Sequence, residues 1–213
     1  MSYEHEYEPQ VRPPPTKSYC RSLPPRDEGL VRQMEAYLEG RGLNYRLAVA
    51  NMWYPSSQAG DNSPRIVMPA TSNIRGNTFW QARAMDGSEK RYQSPPAARG
   101  DAVILVWPKR HMVDRAVVSE GPMDALAAAG EGWLGIALMG NTPPDETLLL
   151  TKQFLRGIMA TIIVPDMDDP TALTEVMSRL VQLGVPNCRL VLPYPKKDLS
   201  DYPRELRSNL LKP

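Results

Sequence analysis

Four short apolar runs alternate with three longer segments between residues 116 and 192, and this alternation constrains the fold more than any other feature of the chain. The runs cover 116–118, 134–138, 160–164 and 188–192, and the longer segments cover 122–129, 144–155 and 170–183. Runs of this length are typical of strands, whereas segments of about 8–14 residues are typical of helices. The alternation predicts βαβ units, and therefore an α/β fold with a central parallel sheet flanked by helices.

The preceding part of the chain has a different pattern. Apolar spacing predicts helices over 30–38 and 45–51, and short β-rich runs predict strands over 65–69, 78–83 and 102–107. Turn residues near 73–77 and 86–88 favour a small antiparallel meander. We therefore divide the chain into a basic α+β subdomain over 29–113 and an α/β domain over 114–213. Residues 1–28 hold six prolines and few aliphatic residues, which predicts a disordered tail.

Composition excludes several classes of protein. The only two cysteines, Cys20 and Cys188, cannot build a disulfide framework or a cysteine zinc site within the chain. No apolar run approaches the roughly 18 residues that a membrane span needs, and the start lacks the pattern of a signal peptide. These features predict a soluble cytoplasmic protein with no membrane partner.

Charge is divided unevenly along the chain. Residues 31–113 carry 11 Lys and Arg against 6 Asp and Glu, whereas residues 114–213 carry 10 against 13. A basic half beside an acidic half favours a protein that holds a polyanion while metal ions act on its phosphates, although chance segregation of surface charge would give the same totals.

Acidic residues follow the predicted strands in three groups, which are Glu120 with Asp124, Asp166 with Asp168, and Asp198 with Asp201. Because the carboxyl ends of parallel strands meet at one edge of a sheet, we expect these groups to converge. Close carboxylates repel each other by about 4 kcal/mol at an effective dielectric near 20. A hard cation such as Mg²⁺ relieves that repulsion and commonly binds substrate phosphates as well. The pattern therefore predicts a metal site for phosphoryl chemistry.

The acidic residues differ in how well each fits the role of a metal ligand. Asp166 and Asp168 are two residues apart, so in an extended segment both point to the same side. Asp169 precedes Pro170 and is better explained as a helix cap than as a ligand. Asp198 is a candidate ligand beside Lys197, which is placed to face phosphate, whereas Asp201 is as well explained by a solvated helix surface.

These three motifs together resemble the Toprim domain shared by primases, topoisomerases and some nucleases. The matching elements are Glu120-Gly121 after a strand, Asp166-x-Asp168 after a later strand, and the acidic group that begins at Lys197-Asp198. The loop 137–142 also resembles the glycine-containing loop after the second Toprim strand. This resemblance covers about residues 114–203.

The upstream half is similar to the polymerase region of bacterial and bacteriophage primases. Residues 37–43 resemble its opening helix and Arg-Gly turn, and residues 65–69 and 75–83 resemble its meander. Residues 90–95 resemble its Lys-Tyr-x-x-Ser-Pro element, with Arg91 in place of the usual Lys. The resemblance to Toprim-domain DNA primases thus extends over about 30–203.

The resemblance implies a primase catalytic core that makes short RNA primers on single-stranded DNA from nucleoside triphosphates by two-metal nucleotidyl transfer. It implies catalytic roles for Glu120, Asp124 and Lys197. It implies that Mg²⁺ or Mn²⁺, as a pair of ions, binds Asp166, Asp168 and Asp198. The implied contacts to nucleic acid or nucleotide are Arg65, Arg83, Lys90 and Arg91. Trp80 and Tyr92 are candidates for base stacking, with core packing as an equal alternative.

Two other functions are compatible with the same acids. A Toprim nuclease would use them to hydrolyse phosphodiesters, and a replisome-binding module would retain the fold without catalysis. The cysteines of the zinc-binding module found in many primases and a recognisable helicase region are both missing. We therefore expect a compact phage-type enzyme that works with a separate helicase or zinc-bearing partner.

Overall fold

A computed structural model gives the fold and describes residues 27–57, 59, 63–73, 79–95, 101–109, 113–166, 170–192 and 198–212. Residues 1–26 of the predicted tail lie outside this part of the chain. Among the helices it contains, none has the length and apolar character needed to cross a membrane.

The N-terminal half forms two helices and an antiparallel sheet. Its elements are α1 (Glu28–Gly40), α2 (Tyr45–Ala50), β1 (Tyr54–Ser56), β2 (Arg65–Pro69), β3 (Trp80–Ala84) and β4 (Tyr92–Gln93). The strands pair in the order β1-β2-β3-β4, and each pair is antiparallel, which confirms the predicted meander. Strands β1 and β4 were not predicted, because two or three residues are too few to show an alternating pattern.

The C-terminal half forms the predicted α/β sheet. Its elements are β5 (Ile104–Val106), β6 (Arg115–Ser119), α3 (Pro122–Gly130), β7 (Leu134–Ala137), α4 (Asp145–Phe154), β8 (Ala160–Val164), α5 (Pro170–Gln182), β9 (Cys188–Leu190), a 3-10 helix (Leu199–Asp201) and α6 (Arg204–Leu210). The sheet order is β5-β7-β6-β8-β9, with four parallel strands and β5 as an antiparallel edge.

Strand β5 connects the two halves of the chain. It lies before residue 114, the boundary that charge and pattern suggested, yet it pairs with β7 in the second sheet. Residue Val103, just before it, bridges to Thr71 after β2. The sheet of the C-terminal half therefore starts upstream of the position at which the charge balance changes.

Apolar residues cover both faces of the five-stranded sheet. Alternate residues of β8 point to opposite sides, so Ile162 joins a core with α3 and α1, whereas Ile163 joins a core with α4 and α5. Helix α3 lies so close to the sheet that a Cβ at Gly135 would come within 2.7 Å of Ala125 Cα. This close approach fixes the start of α3 against the strand ends, where the acidic residues lie.

Candidate active site

The ends of the parallel strands bring the predicted carboxylates to one edge of the sheet. Glu120 directly follows β6, and Asp124 lies in the first turn of α3. Asp166 follows β8 by two residues, and Asp198 immediately precedes the 3-10 helix. These positions agree with the expectation that the acidic groups converge.

One open cleft contains these carboxylates together with basic residues from the first sheet. The empty space within it is about 540 Å³, including its mouth open to solvent. Its described lining consists of Arg41, Gln81, Arg83, Arg91, Tyr92, Glu120, Gly121, Met123, Asp124, Met139, Gly140, Asp166, Asp198 and Ser200. Six of the residues predicted from the sequence therefore share a single cavity. They are Glu120, Asp124, Asp166, Asp198, Arg83 and Arg91.

Asp124 forms the rear of the acidic side. Its residue is only 4% exposed, and its Oδ1 accepts a hydrogen bond from the Ser200 backbone N–H at 2.7 Å. Burial raises the pKa of Asp124 to about 7, and the negative charge of Asp198 acts in the same direction, while the Ser200 hydrogen bond opposes it. The raised pKa of Asp124 thus comes first from its burial and second from the neighbouring Asp198 charge.

Arg83 forms the opposite, basic side with two tyrosines. Its Nε donates to Tyr37 Oη at 3.0 Å, and its guanidinium lies 4.8 Å from the centroid of the Tyr92 ring. Burial alone would lower the pKa of Arg83, but the two phenol groups outweigh it and raise that pKa. The Tyr92 hydroxyl and the Asp124 carboxylate both lie beside Gly121, so the basic and acidic sides meet at the start of α3.

Arg65 is a correction to the predicted binding residues. Its side chain is 0% exposed and donates to the Lys90 carbonyl at 2.9 Å. Because β2 pairs with β3, Arg65 lies next to the loop that joins β3 to β4. Its hydrogen bond to Lys90 stabilises that loop, and its burial keeps the guanidinium out of reach of a ligand. Lys90 itself is exposed and is not part of the cleft lining, so its contact with nucleic acid stays a prediction.

Trp80 and Tyr92 were predicted either to stack on bases or to pack in the core, and the structure places them differently. Trp80 packs against Val67 and Ala82, away from the cleft, which favours its packing role. Tyr92 lines the cleft next to Arg83 and also packs against the main core, so base stacking by Tyr92 stays a prediction.

Two predicted site residues, Asp168 and Lys197, lie outside the described residues, as does Asp169. Within the described ranges, no three His, Cys, Asp or Glu side chains are grouped so as to hold a metal ion. The donor chemistry nonetheless suits a hard cation, because four carboxylates line one polar cleft and the pKa of the buried one is raised in part by a neighbouring carboxylate.

Sequence reasoning missed several cleft residues. Arg41 and Gln81 come from the first half, and Met139, Gly140 and Ser200 come from the second. The Arg-Gly turn was a usable signal for Arg41, and the i, i+2 spacing of Gln81 and Arg83 places both on one face of β3. Ser200 gave no signal, because its backbone N–H provides the contact to Asp124.

The loop after β7 is shaped for the cleft. Met139 has a φ of +57°, a left-handed conformation that is uncommon for a residue with a side chain. Its N–H donates to the Glu120 carbonyl at 2.9 Å, which ties this loop to the loop after β6. The conformation therefore brings Met139 and Gly140 beside Glu120 at the rim of the cleft.

We compared the chain with protein-family models, curated proteins and solved structures. No protein-family model and no curated protein matches the chain. Among solved structures, the E. coli primase catalytic core superposes with a TM-score of 0.58 at 16% identity, covering 81% of this chain and 68% of that one.

Two further structures agree with the first. The DnaG primase catalytic domain bound to single-stranded DNA gives a TM-score of 0.57 at 14% identity, covering 86% and 78% of the two chains. A bacteriophage T7 structure of lagging-strand DNA polymerase, with the primase domains of two gp4 subunits bound to an RNA/DNA hybrid and dTTP, gives 0.52 at 16% identity over 75% and 80%. The chain therefore has the fold of primase catalytic cores, as its resemblance to Toprim primases predicted.

Proposed function

We propose that this chain is the catalytic core of a DNA primase, a nucleotidyltransferase that joins ribonucleotides into short primers on single-stranded DNA. The observation that carries the proposal is the single cleft in which Glu120, Asp166 and Asp198 face Arg83 and Arg91. Carboxylates suited to a cation and guanidinium groups suited to phosphates are the two requirements of phosphoryl transfer.

Each side of the cleft has its own task. Arg83 and Arg91 bind the phosphates of the incoming nucleotide or of the template, and Tyr92 supports Arg83 from below. Glu120, at the end of β6, accepts the proton of the attacking primer hydroxyl. Asp124 holds the 3-10 helix in place through Ser200, and that helix follows directly on Asp198.

A divalent cation fits the acidic side. Mg²⁺ or Mn²⁺ would be held by Asp166 and Asp198, together with Asp168. When bound, such ions activate the attacking hydroxyl and neutralise charge on the pyrophosphate leaving group. Lys197 would add a positive charge for phosphate close to Asp198.

The solved structures with this fold support two of the proposed partners. One of them is bound to single-stranded DNA, and the bacteriophage T7 primase domains are bound to an RNA/DNA hybrid and dTTP. We propose that this chain also binds single-stranded DNA and nucleoside triphosphates. Its replication partner in the cytoplasm is a replicative helicase or a separate zinc-bearing protein.

Primer synthesis is the direct test. The protein is incubated with circular single-stranded DNA, labelled ribonucleoside triphosphates and Mg²⁺ or Mn²⁺, and the products are separated by length. Short oligonucleotides are expected from the wild type. Their rate of formation falls by at least about 10³-fold, or roughly 4 kcal/mol of activation free energy, in Asp166→Asn and Glu120→Gln.

Matched controls separate chemistry from folding. Asp114→Asn and Glu146→Gln remove exposed carboxylates outside the cleft and should leave both the rate and the thermal unfolding curve unchanged. DNA degradation without synthesis would replace the proposal with a nuclease. Neither synthesis nor degradation, even with a replicative helicase added, would replace it with a non-catalytic binding module.

A further inference from the structure

Arg41 reaches the cleft from the turn after α1, and the C-terminal part of the chain holds its guanidinium. Its Nη2 donates to the Asp201 carboxylate and, at 3.4 Å, to Ser200 Oγ. Its guanidinium carbon lies 6.0 Å from the centroid of the Tyr37 ring. Among the described residues, Nη1 has no hydrogen-bond partner. Among the described residues, the guanidinium is thus held through Nη2 alone, and Arg41 lines the cleft.

Arg207 of α6 holds the backbone of the same turn. Its side chain is 2% exposed, and its Nη2 donates to the Gly42 carbonyl, one residue after Arg41. Gly42 has a φ of +66°, and a Cβ there would lie 3.2 Å from Arg207 Nη2, so the turn is fitted closely to this arginine. Arg207 does not itself line the cleft.

The 3-10 helix between these two contacts also supports the acidic side. The Ser200 N–H binds Asp124, and Asp201 binds Arg41, from adjacent positions of one short helix. Residues 199–207 therefore act as a strap that touches both sides of the cleft. Their sequence gave no such indication, since Asp201 was as well explained by a solvated surface.

We propose that Asp201 and Arg207 are positioning residues that preorganise Arg41 to bind the polyphosphate part of a nucleotide. This inference rests on the proposed function, because it takes the cleft to be a nucleotide site. A free arginine loses rotamer entropy when it binds phosphate, and anchoring Nη2 removes part of that loss in advance. An exposed ion pair contributes little to folding, so the contribution of Asp201 is expected in binding rather than in stability.

Nucleotide binding measured by calorimetry, with ATP and AMP as probes in the presence of Mg²⁺, tests the inference. We expect ATP affinity to fall about threefold in Asp201→Asn and about tenfold in Arg207→Met, with AMP affinity unchanged and with partial rescue in Arg207→Lys. In primer synthesis, KM for the nucleotide should rise by the same factors while kcat changes less than about twofold.

A double-mutant cycle decides whether the effect passes through Arg41. In an Arg41→Met background, Asp201→Asn should cause no further loss. Arg204→Met, on the same helix as Arg207 but mostly exposed, is the matched control and should bind ATP as the wild type does. Because Arg207→Met removes a buried side chain and can impair folding, the test depends on Asp201→Asn, which changes only an exposed carboxylate.

Three results would overturn the inference. They are unchanged ATP affinity in Asp201→Asn, tighter ATP binding in that variant, and a loss that persists without Arg41. If any of these occurred while the wild type made primers, only the inference would fall. If the wild type made no primers and bound ATP no better than AMP, the proposed function would fall with it.

Discussion

The two sheets supply residues to the same cleft by different means. The five-stranded sheet is packed on both faces, and Glu120 and Asp166 stand where they do because β6 and β8 end there. The four-stranded sheet has only a small apolar cluster on its outer face, around Val67 and Ala82. Arg83, one of the arginines that it supplies to the cleft, is held by two side-chain partners, Tyr37 and Tyr92. Position is therefore set by backbone packing on the acidic side and by side-chain contacts on the basic side.

The largest effect is expected where backbone packing is closest. Gly135→Ala would drive a Cβ into the backbone of Ala125, forcing α3 away from β7 and displacing the acidic edge with it. We expect a loss of more than about 4 kcal/mol in the free energy of unfolding, or no soluble protein. Denaturant unfolding followed by circular dichroism measures it.

Gly130→Ala is the matched substitution at the end of the same helix. A Cβ there meets nothing within 4 Å, so the variant should be neutral or more stable by up to about 1 kcal/mol. A soluble Gly135→Ala protein as stable as Gly130→Ala would show that α3 can move without cost, and that backbone packing does not fix the acidic side.

Arg65 and Arg83 lie on adjacent strands of the four-stranded sheet, and their substitutions should have different effects. Arg65→Met removes a buried donor from the Lys90 carbonyl and should lower the free energy of unfolding by about 3 kcal/mol. Arg83→Met should leave stability within about 1 kcal/mol but weaken ATP binding roughly tenfold, since its guanidinium lies in the cleft.

Thermal unfolding and ATP calorimetry on both variants separate these outcomes. The expected result is a crossed pattern, in which Arg65→Met changes the unfolding temperature and Arg83→Met changes the affinity. If Arg65→Met had normal stability but weakened ATP binding, Arg65 would bind the nucleotide, as the sequence predicted.

Asp124 provides a pH test of the acidic side. The folded-state pKa of about 7 lies above the ordinary value of 3.8, so below about pH 4 the carboxyl is protonated in both states and has no effect. Between pH 4 and 7 the unfolded chain loses its proton first, so this group lowers stability progressively as the pH rises. Above pH 7 the full destabilisation is present.

Asp124→Asn removes this effect while its amide oxygen can still accept the Ser200 N–H. In EDTA we expect the variant to match the wild type near pH 4 and to exceed its Tm by roughly 5 °C at pH 8. A difference in Tm that stayed constant across this range would mean that Asp124 is not held in a desolvated position. Scanning calorimetry at several pH values measures it.

The same contrast explains how far the sequence could predict the structure. Strand and helix positions in the C-terminal half followed from the alternation of apolar runs, and Glu120 and Asp166 were found because a strand end is visible in sequence. The meander was predicted, but β1 and β4 were too short to detect. Arg65 and Arg83 looked alike, because local sequence does not reveal which face of a strand another segment will cover.

Contacts between distant segments were the least visible. The Ser200 backbone N–H binds Asp124 over a separation of 76 residues, and Arg41 binds Asp201 over 160. The local sequence around either residue does not indicate its partner. Joining them requires the packing of the C-terminal segment against α3 and the turn after α1, which only the assembled fold supplies.

The smallest predicted effect concerns a single hydroxyl on the basic side. Tyr37→Phe removes the acceptor for Arg83 Nε but leaves the ring and the Tyr92 contact in place. Because only one of the partners that position Arg83 is lost, ATP affinity should fall about two- to threefold and stability by less than about 1 kcal/mol. Tyr45→Phe is the control, since Tyr45 is also partly buried against the same core but does not contact Arg83. If Tyr37→Phe bound ATP like Tyr45→Phe, Tyr92 alone would position Arg83, and the basic side would depend on one aromatic contact rather than on a pair.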